Sequence, residues 1–343
     1  MISSWVDVVA RVRGLSGHLL GRSRLLDIAR SRDLVQVAAS LDNAYGASSA
    51  IVAGSSADQL ENAVRRAAAR YVRIIALWCG SRVRYLEPVF LDEDRRSVRA
   101  FLRGAAAGTS SAERLAGLVP TPALPERALE QLASQATVYE VVALLMSLGH
   151  PFGAALLDDA KRPHPDLLRL DLALNSEHAR LSARAVRRAP AGDSVRRDLT
   201  QLVRDTIDLE NASTALQLAA QRSSTAAGQF YISHGKQLDR AAFLRAASAP
   251  GAASAVAVLK RAFRGSPLAP VFRSVLHSSF AESVLRAEQR RAMDAARRAP
   301  LGVAPIIAFL VRLRAEVRDM QFVIWRTALG APPAGPDALV TVA

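Results

Sequence analysis

A chain of 343 residues that is 50% hydrophobic and 5% aromatic is long enough for two or three packed units and too apolar for a disordered polymer. Its formal charge of +14, from 45 basic and 31 acidic residues, favours nucleic acid, anionic lipid headgroups or acidic protein surfaces as neighbours. The single cysteine, Cys79, excludes an intramolecular disulfide framework and a cysteine-based metal cluster, and reads as a small buried hydrophobe.

Alanine, leucine and arginine dominate, and all three are strong helix formers. Strand material is confined to short, isolated runs at 73–78 and 229–232, so the chain reads as all-α. Only Lys161, Lys236 and Lys260 are lysines, which makes nearly all of the basic residues arginine. These are spread along the chain (Arg65, Arg66 and Arg70; Arg187 and Arg188; Arg290, Arg291, Arg297 and Arg298) and lack an aromatic platform for single strands. A helical nucleic-acid-binding protein is therefore the second reading of the charge, not the first.

From the N-terminus, Arg11 and Arg13 interrupt what would be the apolar core of a signal peptide. Gly14, Gly17 and Gly21 fall in an apolar helical segment and are expected to allow close helix packing. The longest stretch free of formal charge, 141–157, is broken at His150-Pro151 and is shorter than the ~20 apolar residues of a spanning helix. The expectation is a soluble, cytoplasmic protein with no transmembrane segment, which leaves room for it to sit on a membrane without crossing it.

A marker recurs three times: a leucine, another leucine fifteen positions on, a large apolar residue four further, then glycine. It reads Leu26, Leu41, Tyr45, Gly46; then Leu129, Leu144, Leu148, Gly149; then Leu244, Leu259, Phe263, with Gly265 one place late. Each marker belongs to a copy that ends in an acid-centred helix: Asp92-Glu93-Asp94-Arg95, Asp208-Leu209-Glu210-Asn211 and Glu316-Val317-Arg318-Asp319. Repetition with a period of about 110 residues predicts one structural unit copied and packed against itself. Proline and glycine place the joints at 117–125, 219–228 and 331–336, with a further helix break at 189–193. The predicted organisation is a first helical lobe at 1–116, a second at 117–226, a third at 227–330 and a C-terminal tail at 331–343.

Motifs for chemistry are weak. No phosphate loop or dinucleotide fingerprint is present, and no two of the six histidines are spaced i,i+4 for a shared zinc ion. His164, between two prolines, reads as an exposed loop residue. Ser233-His234-Gly235-Lys236 has the form of a serine-nucleophile motif but lacks its K-T-G partner, and reads as a turn. The recurring acids could serve as acid–base pairs, yet their equivalent places in the copies point to architecture. Two carry an arginine one turn earlier, Arg204 before Asp208 and Arg312 before Glu316. That ordering supports an isolated helix poorly, so these groups are expected to bond to neighbouring helices. The structural candidates between lobes are Asp92, Arg204, Asp208, Asn211, Arg312, Glu316 and Asp319. No catalytic, cofactor or metal residue is assigned, which leaves an unrecognised helical enzyme as a third reading.

The opening Ala10-Arg11-Val12-Arg13 with paired leucines at Leu19-Leu20 and Leu25-Leu26, the Asp208-x-x-Asn211 helix, the 316–321 segment and the following Gly330-x-Pro332 match one family in order. The chain resembles the C-type stalk subunits of the archaeal and bacterial V/A-type rotary ATPases, relatives of the d-type subunits of eukaryotic V-ATPases. It departs from that pattern at Asp319 (asparagine in the family), at Gln321 (arginine) and at Ser233-His234 in a P-G-G turn. The resemblance implies a funnel of three similar helical lobes with pseudo-threefold symmetry, without catalytic activity or cofactor. It implies a place between the central-stalk subunits and the membrane rotor ring, coupling the shaft to proton or sodium transport. No nucleic-acid partner is expected, and a basic exterior would suit contact with anionic lipid headgroups.

Overall fold

The computed structural model describes residues 5–45, 54–189, 194–221, 227–273, 280–333 and 335–341, and among them the only regular secondary structure is helical. In chain order the α-helices are α1 (Val6–Ser16), α2 (Gly21–Ala29), α3 (Leu34–Tyr45), α4 (Ala57–Cys79), α5 (Glu87–Ala107), α6 (Ser111–Leu115), α7 (Glu126–Ala133) and α8 (Val138–Ser147). They continue as α9 (Pro151–Ala160), α10 (Leu167–Arg187), α11 (Ser194–Gln221), α12 (Arg240–Ala247), α13 (Ala252–Ala262), α14 (Phe280–Arg298) and α15 (Ala304–Ala328). The expected break at 189–193 and the soft stretch at 219–228 fall partly outside the described residues.

Local sequence sets the ends. Ser56 with Gln59, Ser110 with Glu113 and Thr137 with Glu140 form reciprocal capping boxes that start α4, α6 and α8. Pro151 occupies the first turn of α9, where its missing N–H is not needed. Gly108, in the left-handed region at φ +66°, ends α5. Gly14, Gly17 and Gly21 do not mediate close packing. A Cβ at Gly14 or Gly21 would meet nothing within 4 Å, and Gly17 and Gly21 instead stop α1 and turn the chain into α2.

The recurring marker is a helical hairpin. In each copy its two leucines fall on successive short helices that pack together: α2 and α3, α7 and α8, α12 and α13. Leu41, Leu129 and Leu259 are fully buried, whereas Leu148 stays 42% exposed. Three apolar cores collect around these hairpins. The first joins α1–α4 to α15 and includes Leu25, Leu41, Ile75, Phe309 and Ile324. The second spans α5–α10 around Phe101, Leu129 and Phe152, and the third spans α11–α14 around Leu216, Phe243 and Phe263. The last long helix thus completes the core that the first hairpin begins. Tyr71 of α4 meets Phe309 of α15 edge to face at 6.0 Å, a favoured aromatic geometry.

The helices α5, α10, α11, α14 and α15 converge on a central cavity of about 100 Å³ lined by Asp92, His178, Asp205, Glu288, Arg291 and Arg314, with apolar neighbours. No described helix is long and apolar enough to cross a membrane. Phe101 has no exposed surface at the middle of the second core. Phe101→Ala should therefore lower the unfolding free energy by about 3–5 kcal/mol. A urea-unfolding curve checks this, and an unmoved midpoint would mean that the core is not packed as described.

Candidate functional site

Each acid-centred helix holds the backbone at the entrance to a hairpin. On α11, Asp208 is fully buried and accepts the N–H groups of Lys236, Gln237 and Leu238 at 2.8, 2.9 and 3.1 Å, just before α12. Burial raises its pKa despite those three donors. Asn211, one turn on, exchanges two hydrogen bonds with the Ile232 backbone at 2.8 and 2.9 Å. The chain reaches this carboxylate through a tight turn in which His234 has a φ of +82°. A Cβ on Gly235 would overlap the Asp208 carboxylate, so only glycine permits the approach.

On α15, Glu316 is 2% exposed and accepts the Leu20 N–H at 2.7 Å, at the entrance to α2. Asp319 accepts the N–H groups of Val340 and Thr341 at 2.7 and 2.8 Å, while Gln289 donates to the Val340 carbonyl at 2.8 Å. The segment before the end of the described chain is thereby laid across α14 and α15. On α5 the corresponding acid is Asp94. It accepts the Thr121 hydroxyl, which in turn accepts the Leu124 N–H at 2.9 Å ahead of α7, and His150 Nε2 lies 3.3 Å away.

Asp92 has a different task. Its carboxylate meets Arg95 at 2.5 Å, Arg96 at 3.0 Å and Arg314 of α15 at 3.1 Å. Glu93 also pairs with Arg314. Glu288 of α14 joins Arg314 at 3.0 Å to Arg96 at 2.8 Å. On the other side, Arg95 and Arg99 reach Glu210 of α11 at 2.7 and 2.6 Å and Asn175 of α10 at 3.0 and 2.6 Å. Arg291 and Asp205 add a link between α14 and α11 at 2.6 Å. One charged network therefore ties α5, α10, α11, α14 and α15.

Its members set one another's charge state. Burial opposes ionisation of Asp92 and Glu210, but the guanidinium groups of Arg96, Arg95, Arg99 and Arg314 outweigh it and hold both acids well below the usual carboxylate range. For Asp205 burial wins, and its pKa is pushed up to about 6 despite Arg291. Of the expected bases, Arg204 is exposed and touches Asp208 only through its field, and Arg312 is half-buried. The base that enters the network is Arg314, two places beyond Arg312. Arg95 and Glu210 lay within the recurring motifs without a separate role, and sequence reasoning did not single out Arg96, Arg99, Asn175, Glu288 or Arg314. Their one visible signal was the i,i+4 spacing of Arg95, Arg99 and Arg103, hidden in an arginine-rich chain.

A buried ion network contributes little net stability relative to apolar packing, but losing one member strands the rest. Arg95→Met leaves Asp92 and Glu210 underpaired and should cost about 3–5 kcal/mol in urea unfolding at neutral pH. Equal midpoints for variant and wild type would rule out the network as a structural tie. His178, 3% exposed on α10 with Ser182 Oγ at 3.2 Å from Nε2, has its pKa lowered to about 3 by burial and by Arg95. The unfolded chain then takes up the proton first, so stability falls as pH drops from about 6.5 towards 3. His178→Gln should reduce the loss of urea stability between pH 7 and pH 5 relative to wild type. An unchanged loss would show that His178 titrates alike in both states.

No curated protein matches the chain at a significant level. The model of the ATP synthase (C/AC39) subunit family matches residues 8–334, nearly the whole chain and all three acid-centred helices. With hairpins held by buried carboxylates and the long helices joined at the centre, the chain belongs to the ATP synthase C/AC39 subunit family, the non-catalytic stalk subunits of V/A-type rotary ATPases.

Proposed function

We propose that this stalk subunit is a socket that passes torque between the rotor shaft and the membrane ring, coupling ATP turnover to proton or sodium movement. Family membership implies association with other subunits of the ATPase. The proposal adds which ones: the central-stalk subunits on one side and the membrane rotor ring on the other. The chain would sit peripherally on the cytoplasmic face, with its basic exterior beside anionic headgroups.

The shape that suits this task is a funnel of three similar lobes related by pseudo-threefold symmetry. The observation that carries it is the threefold recurrence of one joint: a buried acid on a long helix holding the entrance to a short hairpin. Asp94 does this for α7–α8, Asp208 for α12–α13 and Glu316 for α2–α3. Within this reading the lobes at 1–116, 117–226 and 227–330 keep their hairpins, and α15 closes the first lobe. Asp92 sits where the lobes meet, while Asp208, Asn211, Glu316 and Asp319 fix the parts of each lobe. A transmitting body must not yield under load, and obligate contacts of the necessary kind bury more than about 2,000 Å².

The test is an assembled ATPase carrying Asp208→Ala and Glu316→Ala together. The expected result is a lower melting temperature for the isolated subunit and continued ATP hydrolysis by the complex with ion pumping uncoupled from it. Unchanged melting with full coupling would overturn the role given to these acids.

A further inference from the structure

A second surface lies outside the joints. The outer face of α4 and the segment leading into α7 form an open groove of about 910 Å³. Arg66, Arg70 and Arg73 stand along its α4 side at i, i+4 and i+7, on one helical face. Leu77, 76% exposed, continues that line. The floor is small and apolar, made by Ala67, Ala69, Val72 and Ala76, and the far wall is Pro120, Pro122 and Pro125 with Glu126, Arg127 and Glu130.

The charge balance of the groove is basic. Its two acids are already engaged: Glu126 with Arg66 at 3.2 Å, and Glu130 at 4.0 Å from Arg65. Arg65 is 4% exposed beneath the groove, and its Nε has no hydrogen-bond partner. Four arginines, Arg66, Arg70, Arg73 and Arg127, line the groove against the two carboxylates of Glu126 and Glu130, with Arg73 and Arg127 exposed. Proline walls offer no N–H donors, so recognition must come from the arginines and from shape.

The geometry points to a docking site for an acidic amphipathic helix of another subunit of the same assembly. Its Asp or Glu side chains, spaced i, i+4 and i+7, would meet Arg66, Arg70 and Arg73. Its small apolar residues would lie against Ala69, Val72 and Ala76. A floor of such small side chains allows helix axes to approach to about 8–10 Å. Complementary charge fixes register and speeds encounter more than it adds affinity. The occupant's place in the assembly rests on the stalk reading above; its chemistry rests on the groove alone.

The probe is a fluorescent, stapled helical peptide of about five turns with glutamates at i, i+4 and i+7 on an alanine-rich face. A lysine counterpart serves as its charge-swapped pair. Anisotropy should show the Glu peptide binding wild type, and Arg66→Glu/Arg70→Glu/Arg73→Glu weakening it at least about tenfold while gaining the Lys peptide. A variant with the same change in net charge elsewhere, Arg245→Glu/Lys260→Glu/Arg261→Glu, should keep wild-type affinity for the Glu peptide. Circular dichroism checks folding, and Arg73→Glu/Arg127→Glu, at two exposed sites, replaces the triple variant if that fails to fold. Equal losses in groove and control variants, or no gain of the Lys peptide, would overturn the site as specific. Binding of phosphatidylserine vesicles that depends on the groove, with no peptide discrimination, would also overturn it and assign the arginines to lipid. Either failure leaves co-assembly of the wild-type chain with the ATPase subunits untouched, whereas failure of the stalk reading would abolish that co-assembly.

Discussion

A carboxylate buried among helices must be given donors or a counter-charge, because the unpaired ion costs several kcal/mol. This chain buries Asp92, Glu93, Asp94, Asp208, Glu316 and Asp319 on three long helices, and meets the requirement in two ways. Backbone N–H groups, or a hydroxyl in the case of Asp94, satisfy one set. Guanidinium groups satisfy the other. The first solution binds a loop to a helix and decides where a hairpin begins. The second binds helix to helix at the centre. In each long helix the two functions sit two residues apart: Asp92 and Asp94, Glu210 and Asp208, Arg314 and Glu316. Positions two apart are separated by about 200° around an α-helix, so each helix turns one face to its hairpin and the opposite face to the network.

That arrangement has a mechanical consequence. The hairpins α2–α3, α7–α8 and α12–α13 are each anchored to a long helix, and the long helices are joined through Arg95, Arg96, Arg99 and Arg314. The first joint differs in one respect. Asp94 and Asp208 hold segments within thirty residues of themselves, but Glu316 reaches Leu20, 296 positions away in sequence. The entrance to the N-terminal hairpin is therefore tied to the far end of the chain, and the bonds from Asp319 and Gln289 to Val340 and Thr341 reinforce the helices on which it rests. Apolar packing could supply comparable stability, but directional bonds restrict the relative placement of the parts. The best-attested role of buried ionic groups is of this kind, in specifying register.

The hairpins were legible in the sequence because their signal is local. A leucine on each short helix, with a turn between, keeps the fifteen-residue spacing whatever surrounds it. The acid-centred helices were legible for a similar reason, since three acids recurring before apolar runs leave a pattern. Asp208 and Asn211 stood out individually, and the turn at Ser233-His234-Gly235 was placed correctly by its glycine. The charged network was not legible. Its members pair across α5, α10, α11, α14 and α15 over separations as long as the 222 positions between Asp92 and Arg314, and nothing in the neighbourhood of either residue records the other. Arg204 and Arg312 drew attention by lying one turn before an acid. One turn back keeps a residue on the same face as that acid, which here is the hairpin face, so neither points towards the network. The glycines at 14, 17 and 21 resembled a packing stripe, but a Cβ on Gly14 would meet no neighbour, while Gly17 ends one helix and Gly21 starts the next.

The arginine excess divides into two populations with different physics. Arg95 has no exposed surface and bonds Asp92, Glu210 and Asn175 at once, which uses the planar fork of a guanidinium on three separate helices. A lysine carries a compact charge on a flexible stem and holds no such fixed geometry, so the network discriminates between the two bases. On the outer face of α4 the constraint is looser, because Arg66 and Arg73 stand in solvent, where pairing contributes little to stability. A composition biased towards arginine would fill both places equally well. What separates them is position: one set is oriented by partners within the fold, and the other is open to being oriented by a partner outside it.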